Sequence, residues 1–333
     1  MRRDGAARMN PLLGLALLGL VAVAIVALVT SGPREPRTGR RYAQDVRAAG
    51  QVDPGRIAWE EILPPLAVAM EAPVAVALDA EGRILVLGDR LVVLGPDGRQ
   101  ESRTAELAAR YRGLAAAAAG RIYAAAPDRV DLLALDGGRL EVERSAAAPD
   151  VLASFAAIAL APAGVLVADA GGRRVLRRPR NLGGDWQELA GGFVVPSVMD
   201  VAVTAGGDPV TVDPGRHTVQ VRDGYGDVLR SFGRMGGELA DFAGCCNPAA
   251  IAMTADGRTV TAEKGLGATR VKIYDASGRF ESAIAGPSAF DAATDDAPIV
   301  LDVAVDSRGR VLVLDPARRQ VRVFAPKEEK KDG

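Results

Sequence analysis

From residue 75 to residue 315 one spacing rule recurs. A position that begins a short strand and a position that ends the next strand lie 13 residues apart, six times over: Ala75/Gly88, Gly113/Ala126, Ala156/Asp169, Asp200/Asp213, Ala250/Glu263 and Asp302/Asp315. A glycine falls seven residues after the first member at Gly82, Gly120, Gly207, Gly257 and Gly309, and one residue later at Gly164. Successive units start 38 to 52 residues apart. The last unit is the plainest. Residues 301–305 alternate, Ser307-Arg308-Gly309 turns, 311–315 are apolar and end in an acid, and 321–324 resume. That pattern is three strands joined by tight turns. Six such units predict an all-β, six-bladed β-propeller, in which each blade covers its faces against its neighbours. A closed ring leaves no open sheet edge. Residues 56–62, which precede the first unit, are placed to supply the outer strand of the last blade.

Residues 12–30 form a 19-residue run without charge, rich in Leu, Val, Ala and Ile. That length crosses a bilayer core as one helix. Arg2, Arg3 and Arg8 precede it, as at the start of a secretory signal, but the exit Val29-Thr30-Ser31-Gly32-Pro33 is no Ala-x-Ala site. The expectation is an uncleaved N-terminal transmembrane helix acting as a signal anchor. Arg34, Arg37, Arg40 and Arg41 lie beyond it, so charge does not decide the orientation. The order of elements favours a single-pass protein of the cytoplasmic membrane with its propeller on the periplasmic side; a propeller facing the cytoplasm is the alternative. The expected divisions are a basic segment (1–11), the anchor (12–30), a stalk (31–56), the propeller (57–326) and a charged disordered tail (327–333).

A net charge of −1, a pI near 6.0 and 4% aromatic residues provide neither the basic field nor the stacking platforms of a nucleic-acid binder. A single histidine, His217, removes most histidine-built metal sites.

Residues 212–221 read Val-Asp-Pro-Gly-Arg-His-Thr-Val-Gln-Val, and residues 226–233 read Gly-Asp-Val-Leu-Arg-Ser-Phe-Gly. This pattern resembles the NHL repeat: a strand ending in Asp, an Arg-containing turn, a strand with Gln-Val, then Gly-x-x-Leu-x-x-Phe-Gly. The likeness is clear over residues 193–326. Units one to three follow by periodicity, with Gly88 and Ala126 in place of the strand-end acid. Unit five, with Cys245-Cys246-Asn247-Pro248, Glu263-Lys264-Gly265 and Arg270-Val271-Lys272, also resembles a group of bacterial membrane-anchored NHL proteins. The resemblance implies architecture and address more than chemistry. NHL propellers mostly bind proteins, ligands or RNA, and a minority are lyases or hydrolases.

Two features stand apart from the repeat. Cys245 and Cys246 are adjacent, closer along the chain than ordinary disulfide geometry favours. Their readings are a structural disulfide, a redox element or soft-metal site such as one for Cu(I), or two inert thiols. Asp200 and Asp302 hold the first position of the 13-residue rule, on strands that line a propeller's channel, where the other units have Ala75, Gly113, Ala156 and Ala250. They are candidate ligands for a small molecule or a divalent cation at the channel mouth, with the Cys-Cys loop between them; the plainer reading is that each accepts backbone N–H bonds. Asn247 and Lys264 complete the ligand or partner candidates. The strand-end acids Asp169, Asp213, Glu263 and Asp315 recur, so a turn role fits them better than catalysis. Arg173, Arg174, Arg177, Arg178 and Arg180 read as a solvated strand edge, or as a surface for lipid or an acidic partner.

A binding platform for a protein partner of the cell envelope or for a ligand is the leading expectation. No cofactor is required and no catalytic residue is assigned. The alternatives are a redox or metal-handling accessory using the cysteine pair, and a metal-dependent, lactonase-like hydrolase using Asp200 and Asp302.

Overall fold

The computed structural model describes residues 51–328 apart from 104–106, 108, 137, 195–197, 266–268 and 291–298. The expected anchor and most of the stalk lie outside the described residues, among which no helix is long and apolar enough to cross a membrane.

Six antiparallel sheets form the ring. Their innermost strands are Ala75–Leu78, Gly113–Ala116, Phe155–Ala161, Val201–Val203, Ala250–Met253 and Asp302–Val305, for blades one to six. Blades one to five have four strands in simple up-and-down order. In blade six the outer strand comes from the other end of the chain. Trp59–Glu61 pairs antiparallel with Gln320–Pro326, Trp59 opposite Pro326 and Glu61 opposite Phe324. Leu66–Ala67 continues along the same strand, and Arg322 clasps Glu61 through Nε–Oε1 and Nη2–Oε2 bonds of 2.9 and 2.6 Å. The closure expected of residues 56–62 is therefore present.

Each repeat element has a local cause. In the turn after the innermost strand of blade six, Gly309 donates to the Asp306 carbonyl at φ 76°, a left-handed conformation open to glycine. The second strands Gly164–Asp169, Pro209–Asp213, Thr259–Glu263 and Val311–Asp315 are buried along their whole length, as the middle layer of a stacked blade must be. The core is divided accordingly. One apolar cluster sits at each of the six blade interfaces, for example Val212, Val219, Phe242 and Tyr274 between blades four and five, and Val92, Leu94, Leu314 and Val323 between blades six and one.

The basic stretch of blade three is no strand edge. Arg174–Arg178 is the third strand, covered by Gln187–Gly191. Arg174 is bound by Asp150 and Asp169, and Arg177, Arg178 and Arg180 donate to the carbonyls of Gly224, Leu182 and Ala161. These cations are engaged by the protein itself.

Candidate functional site

The innermost strands all begin on one face, called here the entry face. Just inside it the channel holds a cavity of about 280 Å³. Ala75, Gly113, Ala156, Asp200, Ala250 and Asp302, the six first positions of the repeat, all line it. Strand pairing explains what they meet. In blade five, Ala250 and Ala252 bond to the second strand, so the N–H of Ile251 points into the channel. The Asp200 carboxylate of blade four takes that N–H at 2.7 Å and its own neighbour's, Val201, at 2.8 Å. Asp302 of blade six repeats this, binding Val76 of blade one at 2.7 Å and Val303 at 2.9 Å. Each carboxylate thus staples two blades together through main-chain donors, the plainer of the two sequence readings.

Both carboxylates are half-buried in the wall of the cavity. Desolvation raises their pKa values well above the ordinary carboxylate range, and the charge of Asp302 adds to the rise at Asp200; the accepted N–H bonds oppose it. No staple comes from blade two. Gly113 stands there, and a Cβ on it would lie 3.0 Å from the Cα of Ala157 in blade three.

The third charged residue of the lining, Arg112, escaped sequence reasoning. It precedes Gly113 at the rim, exposed, and donates to Ser154 Oγ at 3.1 Å. Its position one residue before the repeat's first member was the available signal. Val74, Val198 and Val300 flank the same mouth.

The cysteine pair is not part of this lining. The Cys-Cys loop shares the entry side with the two carboxylates, but its thiols do not line the cavity. Residues 233–249 fold back over blade five, and buried cations hold them there. Lys272 Nζ donates to the carbonyls of Asp241 (2.7 Å) and Leu239 (3.1 Å), contacts Glu263 Oε1 at 2.7 Å, and lies 4.5 Å from the centre of the Phe242 ring. Desolvation lowers its pKa to about 8. Arg270 bonds Glu263 Oε2 at 2.8 Å, and the Tyr274 hydroxyl donates to Ala240 O. Asn247 is a strut. Its amide donates to the carbonyls of Ala243 and Lys264, and its oxygen accepts the Lys264 N–H. Cys245 is exposed and Cys246 buried, both as free thiols. The Cys245 pKa is raised, first by its hydrogen bond with Cys246 and then by that neighbour's charge, while Lys264 pulls it down.

The strand-end acids are structural. Asp169, Asp213 and Glu263 each accept an N–H of the loop entering their blade, from Ser154, Val194 and Ala243. Asp315 holds Arg318, whose guanidinium reaches the Phe290 carbonyl. His217 is buried at φ 58°, in the place taken by Arg173 and Arg319 elsewhere, and its Nδ1 has no hydrogen-bond partner. Among the described residues no group of three or more His, Cys, Asp or Glu is arranged to hold a metal ion.

No protein-family model matches the chain, and no curated protein matches it by sequence. Solved structures do. A protein of unknown function from Bacteroides thetaiotaomicron aligns with a TM-score of 0.58 at 11% identity, over 80% of this chain and 72% of that one. A catalytically inactive virginiamycin B lyase from Staphylococcus aureus, with quinupristin, gives 0.53 at 12% identity over 77% and 81%. The Pan2 WD40 domain of Neurospora crassa gives 0.53 at 12% over 84% and 98%. These likenesses are of fold: the chain is a β-propeller.

Proposed function

We propose that this chain is a membrane-tethered binding platform: an NHL-type propeller anchored through residues 12–30, exposed on the periplasmic side of the cytoplasmic membrane, that engages a ligand or an envelope protein through its entry face. The observation that carries the reading is convergence. The features that break the repeat, namely the two channel carboxylates, Arg112 and the pinned loop with Cys245, all belong to the entry side of the ring. A rigid ring that displays irregular loops on one side suits recognition. Binding is favoured over hydrolysis because Asp200 and Asp302 are already engaged by four backbone N–H groups. The test is affinity capture with the full chain from crosslinked membranes. Captured partners should be lost when Cys245, Lys264 and Arg112 are changed together. Capture unaffected by those changes, or captured equally by the bare anchor, overturns the reading.

One observation favours a second reading, a redox role: Cys245 is exposed directly beside Cys246. Mass measurement after thiol labelling decides it. A pair that stays reduced in membranes prepared without reductant removes that role.

A further inference from the structure

We propose that the channel mouth binds a small zwitterion of α-amino-acid size, its ammonium between Asp200 and Asp302 and its carboxylate on Arg112. This rests on the binding-platform reading and names the ligand class for it.

The cavity sets the size. About 280 Å³ lies just under the roughly 300–1,000 Å³ typical of sites for drug-sized molecules, so the ligand is small. The lining sets the chemistry. Its charged side chains are Arg112, Asp200 and Asp302, on alternate blades two, four and six. One side of the lumen therefore carries the two acids and the opposite rim the guanidinium. Ala75, Gly113, Ala156 and Ala250 leave the space between them open.

Each Asp oxygen accepts one N–H bond from the protein. A carboxylate oxygen can accept two, so each staple retains acceptor capacity toward the lumen. An ammonium, with three donors, matches it. The desolvation that raises both Asp pKa values marks a place short of positive charge, which a bound ammonium would supply. Across the lumen, the planar Arg112 guanidinium is suited to a carboxylate. There its guanidinium donates to the neutral Ser154 hydroxyl. Val74, Val198 and Val300 at the mouth offer apolar surface to a side chain. A hard divalent cation fits less well, since it takes six to eight oxygen ligands and two carboxylates supply few of them.

The experiment is titration calorimetry on the full chain in detergent micelles at fixed ionic strength. The probes are L-leucine, isoamylamine (the same skeleton without carboxylate), 4-methylpentanoate (without amine) and calcium chloride. Leucine should bind, and each single-charge probe should bind at least about tenfold more weakly, the loss of one charge-assisted interaction. Arg112→Met should reduce leucine affinity to that of isoamylamine and leave isoamylamine binding unchanged. Because Arg112 is exposed at the rim, this variant keeps the test open even where Asp302→Asn fails to fold. No leucine binding by the folded chain overturns the inference, as does leucine binding that is indifferent to Arg112→Met. Calcium binding abolished by Asp302→Asn, without leucine binding, also overturns it and makes the site a cation site. A chain that binds none of the probes yet captures its partner through the entry face defeats this inference and leaves the platform reading standing; failure of both removes both.

Discussion

Blades one and five meet the same demand with different residues. In each, an acid at the entry end of the sheet accepts a backbone N–H from the loop that enters the blade. In blade five the acid is Glu263, fully buried, bound to Ala243 N at 2.8 Å and flanked by Arg270 and Lys272. In blade one it is Asp89, 30% exposed in its side chain, bound to Glu71 N at 3.1 Å with Arg90 beside it. Blade two uses Asp131 on its third strand, which accepts from the Tyr111 hydroxyl of its entering loop. The constraint is thus geometric: a loop must be fastened where it turns inward. Where the acid is buried it needs its own cations; near the surface, water and a single Arg suffice.

Breaking the buried version should cost most. Glu263→Ala leaves Arg270 and Lys272 without their shared carboxylate in the interior. Loss of one partner of a buried ion group costs about 3–5 kcal/mol, so the melting temperature should drop on the order of 10 °C. Residues 233–249 should also become protease-sensitive. A drop of only a degree or two would mean that the cluster is no more than a surface pair.

Blade one gives the next largest effect. Gly88 occupies the strand-end place that holds an acid in blades three to six, which suggests a vacancy. It is instead a close contact: a Cβ there would fall 2.4 Å from the Ala72 carbonyl oxygen and 2.6 Å from the Met70 sulfur. Restoring the consensus with Gly88→Asp should therefore destabilise the ring, by about 1–3 kcal/mol as for other overpacked sites. Thermal melting checks this, and a stabilised variant would show that the place was vacant after all.

Much of the fold was legible for a physical reason. The 13-residue spacing, the turn glycines and the strand-end acids are set by backbone geometry that every blade must satisfy, so they recur and can be counted. The places of Asp200 and Asp302 were legible from the same spacing, but their role as backbone acceptors stood there as one of two readings, because the other blades have Ala or Gly in that place. What does not recur was hidden. Nothing in the repeat singles out Lys272, which a loop about 30 residues earlier in the chain buries. Arg112 reads as a loop residue until six strands converge around it. The path of the Cys-Cys loop away from the channel depends on that same buried cluster, which no periodicity announces.

The channel extends the comparison to pH. Carboxylates staple blade four to five and blade six to one, whereas blade two has Gly113. Asp200 titrates at about 8 in the folded chain against 3.8 unfolded, and Asp302 at about 6. Between those limits the folded state holds protons that the unfolded chain has released, so stability falls as pH rises. Burial of His217 lowers its pKa, which gives the opposite slope below its unfolded value of 6.5. Asp200 therefore dominates the window from pH 6.5 to 8, with Lys272, its pKa lowered to about 8, opposing it only toward the upper end. The melting temperature should decline by a few degrees across it, and Asp200→Asn should flatten the decline. A slope identical in the variant would show that Asp200 is ionised throughout.

The smallest effect belongs to Asp89, and it is the sharpest check of the contrast with Glu263. Both acids fasten an entering loop through one backbone N–H, so a view that counts hydrogen bonds predicts equal losses on truncation. Exposure predicts otherwise. After Asp89→Ala, water can reach the Glu71 N–H, and Arg90, with a side chain 19% exposed, can move into solvent. Exposed ion pairs contribute about 0–1 kcal/mol, so the melting temperature should fall by no more than about 4 °C and loop 62–74 should keep its protease resistance. A loss equal to that of Glu263→Ala would mean that the fastening bond itself, and not the burial of its charge, holds the blades in register.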